Sequence, residues 1–311
     1  MTEEERPGRT PDTAPRVTVV IPVRNAADEI GALLDALRRQ NLPCSTTQIV
    51  IVDDASADAT AANARASGLA EVVQSPTRLG SYGARNAGIA VAQADTLAFT
   101  DGDCLPTPSW LERGLHALAE RRVDVLAGHV DMPLGLRPPK AAVVDAALHM
   151  NQRLWVESHE FGATANLFVR RELFDRIGLF DGRLRSGGDM EFCHRAVAAG
   201  FRLGYTPDAV IVHEPRRAGQ LVKKAYRIGS APARQARPTE TKDSITPVWA
   251  RPKQWLPARR PFAEGSLADR HYYPKPGELV VLRLVHWLCY RLPRAAGSLV
   301  AAVSARRREH G

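Results

Sequence analysis

The sequence lacks the cysteine patterns of disulfide-stapled or metal-stabilised small proteins. Its 311 residues contain four cysteines, and no C-x-x-C pair occurs among them. They are widely spaced, at Cys44, Cys104, Cys193 and Cys289. This pattern excludes a zinc knuckle and a disulfide framework, and it favours reduced thiols in a cytoplasmic protein.

Two other signatures are missing. The glycine-containing segment from Arg78 to Gly88 matches neither the G-x-G-x-x-G fingerprint nor the Walker pattern, which excludes those two nucleotide sites. Residues 1–15 have no apolar signal-peptide core, and their acidic, proline-rich composition predicts a disordered leader. With 44% hydrophobic and 24% charged residues, the chain has the composition of one large soluble domain, or of one domain with an appendage.

The net charge of +8 is unevenly distributed. Residues 214–311 hold 20 of the 42 Lys and Arg but only 7 of the 34 Asp and Glu. Residues 1–213 carry slightly more acidic than basic side chains. Such asymmetry indicates an anionic partner for the C-terminal part, with membrane lipid, nucleic acid and an acidic substrate as the alternatives.

Apolar segments alternate with segments of helical spacing through the first 130 residues. The predicted strands are 17–21 (stopped by Pro22), 48–52, 71–74, 96–100 and 123–128. The predicted helices are 27–40, 57–67, 80–92 and 108–120. Near-continuous apolar strands that alternate with helices indicate an α/β fold with a mostly parallel sheet covered on both faces.

The alternation is looser after Asp131. The predicted helices are 141–155, 172–177, one that begins at Asp189, and a cationic helix at 221–228. The predicted strands are 163–169, 201–205 and 209–213. Residues 230–277 contain eight prolines and little periodicity, which predicts a linker or a loosely ordered arm.

The last segment has an apolar face with helical spacing, formed by Val281, Leu282, Val285, Leu288, Cys289 and Leu292. The residues expected largely off that face are Arg283, His286, Tyr290 and Arg294. The charges disfavour a membrane-spanning helix and favour one that lies in a membrane interface, with Trp287 and Tyr290 at headgroup depth. The alternative is an amphipathic helix packed on the protein or on a second subunit.

Polar residues follow three of the predicted strands: Pro22–Asn25 after the first, Asp53–Asp54 after the second and Asp101–Asp103 after the fourth. In parallel sheets ligands bind beyond the carboxyl ends of the strands, so these clusters predict one shared site. On a continuing strand Asp101 and Asp103 would face the same side, and two hard oxygen ligands suit Mg²⁺ or Mn²⁺. Taken alone, an Asp-x-Asp pair is more often a turn or a helix cap.

Five motifs occur in one order along the chain: Val19–Asn25, Ile51–Asp58, Gly83–Gly88, Phe99–Cys104 and Ser186–Phe192. Together they resemble the family 2 glycosyltransferases with the glycosyltransferase-A fold, over residues 16–215. The resemblance implies transfer of a sugar from a nucleotide-diphosphate donor, with inversion and with a divalent metal. The resemblance makes residues 16–215 the catalytic domain, while composition and spacing give a leader (1–15), a basic helix with a Pro-rich arm (216–277) and an amphipathic tail (278–311) with the two alternatives above.

The resemblance assigns donor contacts to residues at the predicted edge of the sheet. Asp53 and Asp54 would accept hydrogen bonds from the base and the ribose, the alternative being an Asx turn with Ser56 or Asp58 as helix cap. The other residues expected at the donor are Pro22, Arg24, Gly80, Arg85, Asn86, Asp101 and Gly102. The alternative for Arg24 is an exposed loop position. The alternative for Arg85 and Asn86 is a capping and packing role.

The resemblance also assigns a metal site, with Mg²⁺ or Mn²⁺ as the implied cofactor. Asp103 matches the metal ligand, Asp101 would reach the ribose and the waters of the metal, and His213 would be a further metal or phosphate contact or else a structural histidine. Asp189 matches the general base that takes the proton of the acceptor hydroxyl. Where the family often has Glu-Asp, this chain has Gly188-Asp189, which removes one carboxylate.

Acceptor contacts are predicted around Asp189. Gly187 and Gly188 would let the acceptor approach closely, and Glu191 would orient it or bind a cation. Trp110 would contact the sugar or the acceptor. The alternatives are first-turn helix charge for Glu191 and a core or loop position for Trp110.

The function expected from the sequence is an inverting, metal-dependent glycosyltransferase of bacterial type that acts in cell-envelope polysaccharide biosynthesis. Its donor would be a nucleotide-diphosphate sugar, with a UDP-sugar expected, and its acceptor a saccharide or a lipid-linked saccharide. The cationic, amphipathic tail predicts a cytoplasmic protein held peripherally on the inner face of the cell membrane.

Three other functions are weighed against this one. A non-catalytic, nucleotide-sugar-binding scaffold of the same fold is the main alternative, and the intact acidic set argues against it. A sugar nucleotidyltransferase is disfavoured because Pro22–Asn25 lies where a Gly-rich basic loop would follow the first strand. No nucleic-acid partner is predicted, because Trp287 and Tyr290 lie within an apolar helix rather than in a stacking groove.

Overall fold

The computed structural model describes residues 15–230, 256, 272, 274 and 276–309, so the predicted leader and most of the predicted arm lie outside the described residues. The chain divides into two compact units. The first comprises Met1–Val130, Gln152–Arg183 and Gly188–Val212, and the second comprises Asp131–Asn151, Leu184–Gly187 and His213–Gly311. Among the described helices, none combines the length and the apolar character that crossing a membrane requires.

The strands of the described residues form one sheet. They are β1 (Val17–Val23), β2 (Thr47–Asp53), β3 (Glu71–Gln74), β4 (Thr96–Thr100), β5 (Cys104–Pro106), β6 (Val125–Asp131), β7 (Asn166–Arg170) and β8 (Leu203–His213). Their order is β3-β2-β1-β4-β7-β6-β8-β5. The strands β3, β2, β1 and β4 run parallel, whereas β7 is antiparallel to β4 and β6. The predicted α/β class with its parallel sheet is confirmed, and an antiparallel part extends it.

The register brings the carboxyl ends of the parallel strands to one edge, where Val23 lies opposite Asp53 and Asp53 opposite Gln74. The predicted strand end at Pro22 is wrong, because β1 continues to Val23. Proline has no N–H to donate, and it is tolerated here because the pairing of β1 with β4 covers only Thr18–Val20.

The helices lie close to their predicted positions. They are α1 (Ile30–Arg38), α2 (Thr60–Ala66), α3 (Gly80–Val91), α4 (Trp110–Glu120), α5 (Lys140–Leu148), α6 (Gln152–His159), α7 (Glu172–Ile177), α8 (Gly188–Ala198), α9 (Ala218–Gly229), α10 (Pro276–His286) and α11 (Leu292–Glu309). In α1 the residues that the spacing predicted to face the core, Ile30, Leu33, Leu34 and Leu37, are all buried.

Three elements differ from their predictions. The helix predicted at 141–155 is interrupted, because His149 is extended and Met150 has a φ of 59°, neither of which continues a helix. The two strands predicted at 201–205 and 209–213 are one strand, β8. The three-residue strand β5 was not predicted, since it is too short to produce a periodic pattern.

The second unit contains α5, α9, α10 and α11, with a π-helical turn at Trp287–Arg291 between the last two. Its core is the buried cluster of Ala141, Val143, Val144, Leu221 and Leu282, against which Val285, Cys289 and Tyr290 pack. The predicted apolar face of the tail is therefore split. Leu282 is fully buried, whereas Val281 and Leu288 are 45% and 46% exposed. His286, predicted off that face, is buried, because it follows Leu282 by one helical turn.

Candidate active site

The loops that follow β1 and β2 are joined to each other by hydrogen bonds. The backbone N–H of Asn25 donates to the Ser56 hydroxyl (2.9 Å), and the N–H of Ala57 donates to the Asn25 side-chain oxygen (2.9 Å). The N–H of Ala26 donates to the Thr60 hydroxyl (2.7 Å). The loops thus form a fixed rim at this edge of the sheet. Of the residues predicted there, Arg24 is exposed and Pro22 is half-buried.

The adjacent residues Asp53 and Asp54 have different surroundings. Asp54 accepts hydrogen bonds from the backbone N–H groups of Leu79 (2.5 Å) and Gly80 (3.1 Å), so it anchors the start of α3. Asp53 is fully buried, and neither of its carboxylate oxygens has a hydrogen-bond partner within the described residues. A buried carboxylate without a donor is costly, so Asp53 is the member of the pair suited to a ligand N–H or hydroxyl.

Arg85 on α3 is the centre of the charged site. Its side chain is 3% exposed, and its guanidinium forms an ion pair with the Asp101 carboxylate. It also donates to the carbonyl of Ser81 (3.2 Å) and lies over the ring of Tyr82, 5.6 Å from the centroid. A buried, rigidly held guanidinium supplies fixed positive charge at the carboxyl edge of the sheet.

The segment Asp101–Asp103 is a turn and not a continuing strand. β4 ends at Thr100, and the N–H of Cys104 donates to the carbonyl of Asp101 (3.1 Å) before β5 begins. The expectation that both carboxylates face one side of a strand is therefore wrong: Asp101 is half-buried against Arg85 and Asp103 is exposed. A side chain at Gly102 would begin 3.0 Å from Val23, so this turn lies tightly against the end of β1.

The donor groups beside this turn fit a hard divalent cation. The carboxylates of Asp101 and Asp103 are hard oxygen ligands. Burial, and then the charges of these two carboxylates, raise the pKa of the neighbouring Cys104 thiol well above its ordinary value. Hard oxygen ligands such as these carboxylates suit Mg²⁺ or Mn²⁺.

His213 is the last residue of β8, the strand that neighbours β5 in the sheet, and it is 2% exposed. A guanidinium N–H of Arg216 donates to its Nε2 (3.0 Å), since arginine is only a donor. The backbone N–H of Arg216 in turn donates to the buried carboxylate of Asp145 (2.8 Å). The imidazole is therefore held in one orientation by a second layer of hydrogen bonds.

Asp189 lies in the first turn of α8 and is half-buried. The Tyr82 hydroxyl donates to its Oδ1 (3.2 Å), and the N–H of Met190 donates to the same oxygen (3.0 Å). Burial raises the pKa of the Asp189 carboxyl, Asp101 adds to that shift, and Arg85 opposes it. A carboxylate with a raised pKa at the start of a helix can accept a proton from a hydroxyl.

Tyr82 and Gly188 lie against each other beside Asp189. A Cβ atom at Gly188 would lie 2.8 to 2.9 Å from three atoms of the Tyr82 ring. Burial, and then the Asp189 charge, raise the pKa of the Tyr82 hydroxyl far above its ordinary value, so the hydroxyl stays protonated and acts as a donor. The preceding Gly187 has a φ of 79°, which favours glycine.

The remaining predicted residues have mainly structural contacts. Asn86 clamps the chain before α8, donating to the carbonyl of Phe180 (2.8 Å) and accepting from its N–H (3.1 Å). Glu191 pairs with Arg195 (2.6 Å). Trp110, predicted to contact the acceptor, is a core residue: it is fully buried, and its indole N–H donates to Asn166 (2.8 Å).

The structure thus brings Arg85, Asp101 and Asp189 together and adds Tyr82, which the sequence reasoning missed. Tyr82 lies one helical turn before Arg85, so an arginine already assigned to the site could have drawn attention to it. Its hydrogen bond to Asp189 and its contact with Gly188 distinguish it from an ordinary core residue, and neither follows from the local sequence.

Comparison with known proteins identifies relatives of this chain. The model of the family described as Glycosyl transferase family 2 matches residues 18–178. Glycosyltransferase AglE of Haloferax volcanii is 36% identical over 221 residues, which are 70% of this chain and 73% of that protein. The pre-mycofactocin glycosyltransferase of Mycobacterium tuberculosis is 31% identical over 229 residues, 69% of this chain and 46% of that protein.

Solved structures show the same fold. The mannosyltransferase PcManGT of Pyrobaculum calidifontis, in complex with GDP-Man and Mn²⁺, aligns with a TM-score of 0.57 at 23% identity, covering 94% of this chain and 87% of that one. Residues 1–349 of Staphylococcus aureus TarS, in complex with UDP-GlcNAc, align with a TM-score of 0.51 at 17% identity, covering 94% of this chain and 92% of that one. At these identities the likeness concerns the glycosyltransferase-A fold.

Proposed function

Because this chain belongs to glycosyl transferase family 2 and is a nucleotide-sugar-dependent glycosyltransferase, we propose that it inverts the anomeric centre, with Asp189 as general base. The observation that carries this proposal is the environment of Asp189. Two donors hold its Oδ1, and burial raises its pKa. Inversion needs in-line attack by an acceptor hydroxyl, and a fixed carboxylate with a raised pKa is the group that takes the proton.

The donor binds along the carboxyl ends of the parallel strands in this proposal. The buried oxygens of Asp53 accept a ring N–H of the base or a ribose hydroxyl, which supplies the partner they lack within the described residues. The guanidinium of Arg85, which the ion pair with Asp101 holds in place, supplies positive charge near the diphosphate in this proposal. We propose a UDP-sugar as the donor, with Pro22, Arg24, Gly80 and Gly102 lining its path.

The divalent cation would be held by Asp103 in this proposal, and Asp101 would reach the waters of the ion. Such a cation stabilises the negative charge that develops on the departing diphosphate. The backbone hydrogen bond from the N–H of Cys104 to the carbonyl of Asp101 supports this proposal, because it holds the turn that carries both carboxylates. Mg²⁺ and Mn²⁺ both suit the oxygen donors.

The acceptor is proposed to be a saccharide or a lipid-linked saccharide that is reached at the inner face of the cell membrane. The supporting feature is α10 and the π-helical turn after it. Val280, Val281, Leu284 and Leu288 are between 45% and 64% exposed there, although Leu282 on the same segment is buried. Exposed aliphatic side chains in a strongly cationic C-terminal part are typical of a helix that lies in an anionic membrane interface.

The experiment that tests the reaction is stereochemical. The protein is incubated with Mn²⁺, a panel of UDP-, GDP- and dTDP-sugars and saccharide acceptors, and the anomeric configuration of the product is read by proton NMR. Inversion relative to the donor is expected. Retention of configuration would contradict the role of Asp189. Donor binding without transfer to any acceptor would favour the alternative, a non-catalytic nucleotide-sugar-binding scaffold.

A further inference from the structure

We infer that Tyr82 is the positioning residue for Asp189 and that it occupies the place which a side chain at position 188 would otherwise fill. The inference rests on the proposed function of Asp189 as general base. It also explains why this chain has Gly188-Asp189 where the family often has Glu-Asp. Gly188 and Tyr82 form a matched pair, because the Tyr82 ring fills the space that a side chain at position 188 would need.

The first argument is steric. An added Cβ at Gly188 would lie 2.8 Å from Cδ2 and Cε2 of the Tyr82 ring and 2.9 Å from Cζ, closer than such contacts occur in proteins. The ring cannot move aside easily, because Tyr82 is 6% exposed, Phe180 packs 6.0 Å from it and the Arg85 guanidinium lies over it. Any side chain at position 188 therefore requires a smaller residue at position 82.

The second argument is the direction of the hydrogen bonds. Within the described residues, the bonds that the Asp189 carboxylate accepts, from the Tyr82 hydroxyl and from the N–H of Met190, both go to Oδ1. Two donors at different angles fix the rotation of the carboxylate. The lone pairs of Oδ2 are then directed away from these donors, and Oδ2 is the oxygen that can take the acceptor proton.

The third argument is charge. A glutamate at position 188 would place a second carboxylate beside Asp189, and a like charge at that distance raises the pKa of its neighbour. The Tyr82 hydroxyl fixes Asp189 without adding negative charge. Other charged or titratable groups also face Asp189, namely Arg85 from α3, Asp101 from the turn after β4 and the buried Cys193 on α8 itself.

The chemical step follows from this arrangement. Oδ2 of Asp189 takes the proton of the acceptor hydroxyl while the hydroxyl oxygen forms a bond to the anomeric carbon of the donor sugar. The bond from that carbon to the diphosphate oxygen breaks, and the electron pair leaves with the diphosphate. Tyr82 keeps its own proton throughout, so it positions the base and exchanges nothing with the substrate.

The test begins with Tyr82→Phe, which removes one oxygen and keeps the ring that fills the space beside Gly188. We expect kcat to fall about 10- to 100-fold, the value of a hydrogen bond to a charged group, while KM and Kd for the donor stay unchanged. Tyr226→Phe is the matched control, because Tyr226 is 41% exposed on α9 and its loss of a hydroxyl should change nothing. Unchanged kcat in Tyr82→Phe would overturn the inference.

The matched pair is tested by rescue. Gly188→Glu alone should lower kcat and the melting temperature, because its side chain collides with the Tyr82 ring. Tyr82→Ala combined with Gly188→Glu should recover at least about tenfold of the kcat lost in Gly188→Glu, since the carboxylate then has room. A double variant no better than Gly188→Glu would overturn the pairing, and Tyr82→Phe still decides the hydrogen bond if Gly188→Glu does not fold.

A reference variant separates this inference from the proposed function. If Asp189→Asn transfers sugar at the unmodified rate, the base assignment fails, and the role of Tyr82 fails with it. If Asp189→Asn is inactive and Tyr82→Phe is fully active, only the inference about Tyr82 is overturned.

Discussion

Helix α3 of the first unit contacts other segments through polar groups, whereas helix α10 of the second unit leaves several of its apolar side chains exposed. Helix α3 binds acidic residues from three other segments: its first N–H groups hold Asp54, Arg85 holds Asp101 and Tyr82 holds Asp189. Helix α10 buries Leu282 and leaves Val280, Val281 and Leu284 exposed. The contrast is between a helix whose polar contacts hold acidic side chains and a helix that leaves an apolar surface exposed.

Apart from Asp189→Asn, the largest effect is expected from Asp103→Ala, which removes the exposed carboxylate proposed to hold the cation. We expect kcat to fall about 100- to 1,000-fold, because the charge on the leaving diphosphate loses its counterion. The measurement is transfer rate against Mn²⁺ concentration. Asp175→Ala, at an exposed acidic position on α7, should keep the parent Mn²⁺ dependence. Full activity of the parent protein in EDTA would contradict the metal role.

The next effect separates the two adjacent acids after β2. Asp53→Asn should weaken donor binding about 10- to 100-fold, since a buried acceptor of ligand hydrogen bonds is lost. Asp54→Asn should instead lower the free energy of unfolding by about 1–3 kcal/mol, because the N–H groups of Leu79 and Gly80 lose a charged acceptor. Titration calorimetry and chemical denaturation measure the two quantities. The same outcome for both variants would break the distinction between them.

A pH effect should follow from the burial of Asp189. Because its pKa is raised above 3.8, the carboxyl is protonated and inactive as a base at a higher pH than an exposed aspartate would be. The rate of transfer should therefore fall as pH decreases through that raised pKa. The measurement is kcat from pH 3 to 8 at saturating donor. A midpoint at or below pH 3.8 would contradict a base with a raised pKa.

A smaller change, in membrane binding, is expected from substitutions on α10 and on the π-helical turn after it. Leu284→Gln combined with Leu288→Gln should reduce binding to anionic vesicles about tenfold, because two side chains that are 48% and 46% exposed lose their apolar contact with lipid. Leu179→Gln, at a 46% exposed position of the first unit, is the control. Unchanged sedimentation with vesicles would favour a role of this surface in protein contacts.

The smallest effect concerns the stability of the second unit at low pH. Burial lowers the pKa of His149 to about 4 from 6.5. The unfolded chain then binds a proton between those values and the folded chain does not, so stability falls as pH decreases from 6.5 to 4. His149→Asn should flatten this dependence in thermal melts, whereas His116→Gln, at an exposed position, should not. An equally steep slope in both variants would contradict the assignment.

The sequence predicted α3 and the parallel strands well, because their apolar residues follow the periods of buried helices and strands. It also located the acids after β2 and β4, because the carboxyl ends of parallel strands lie at one edge of the sheet. It could not tell Asp53 from Asp54, since that difference depends on the N–H groups of Leu79 and Gly80, 25 and 26 residues away.

Long-range contacts also account for what was missed. Tyr82 is 107 residues from Asp189, and no local pattern connects them. Trp110 was predicted to contact the sugar or the acceptor, but its helix buries it in the core, where its N–H donates to Asn166. On α10, the expected single apolar face is shared between the packed Leu282 and the exposed Val281, a division that depends on the cluster around α5 and α9.

The most direct measurement is the transfer rate of Asp189→Asn, with donor affinity measured on the same sample. The substitution keeps the shape of the side chain and removes its ability to accept a proton. We predict that kcat falls about 100- to 10,000-fold while the donor Kd stays within about twofold of the parent value. A kcat within about fivefold of the parent value, at the same donor affinity, would contradict the assignment of Asp189 as the base.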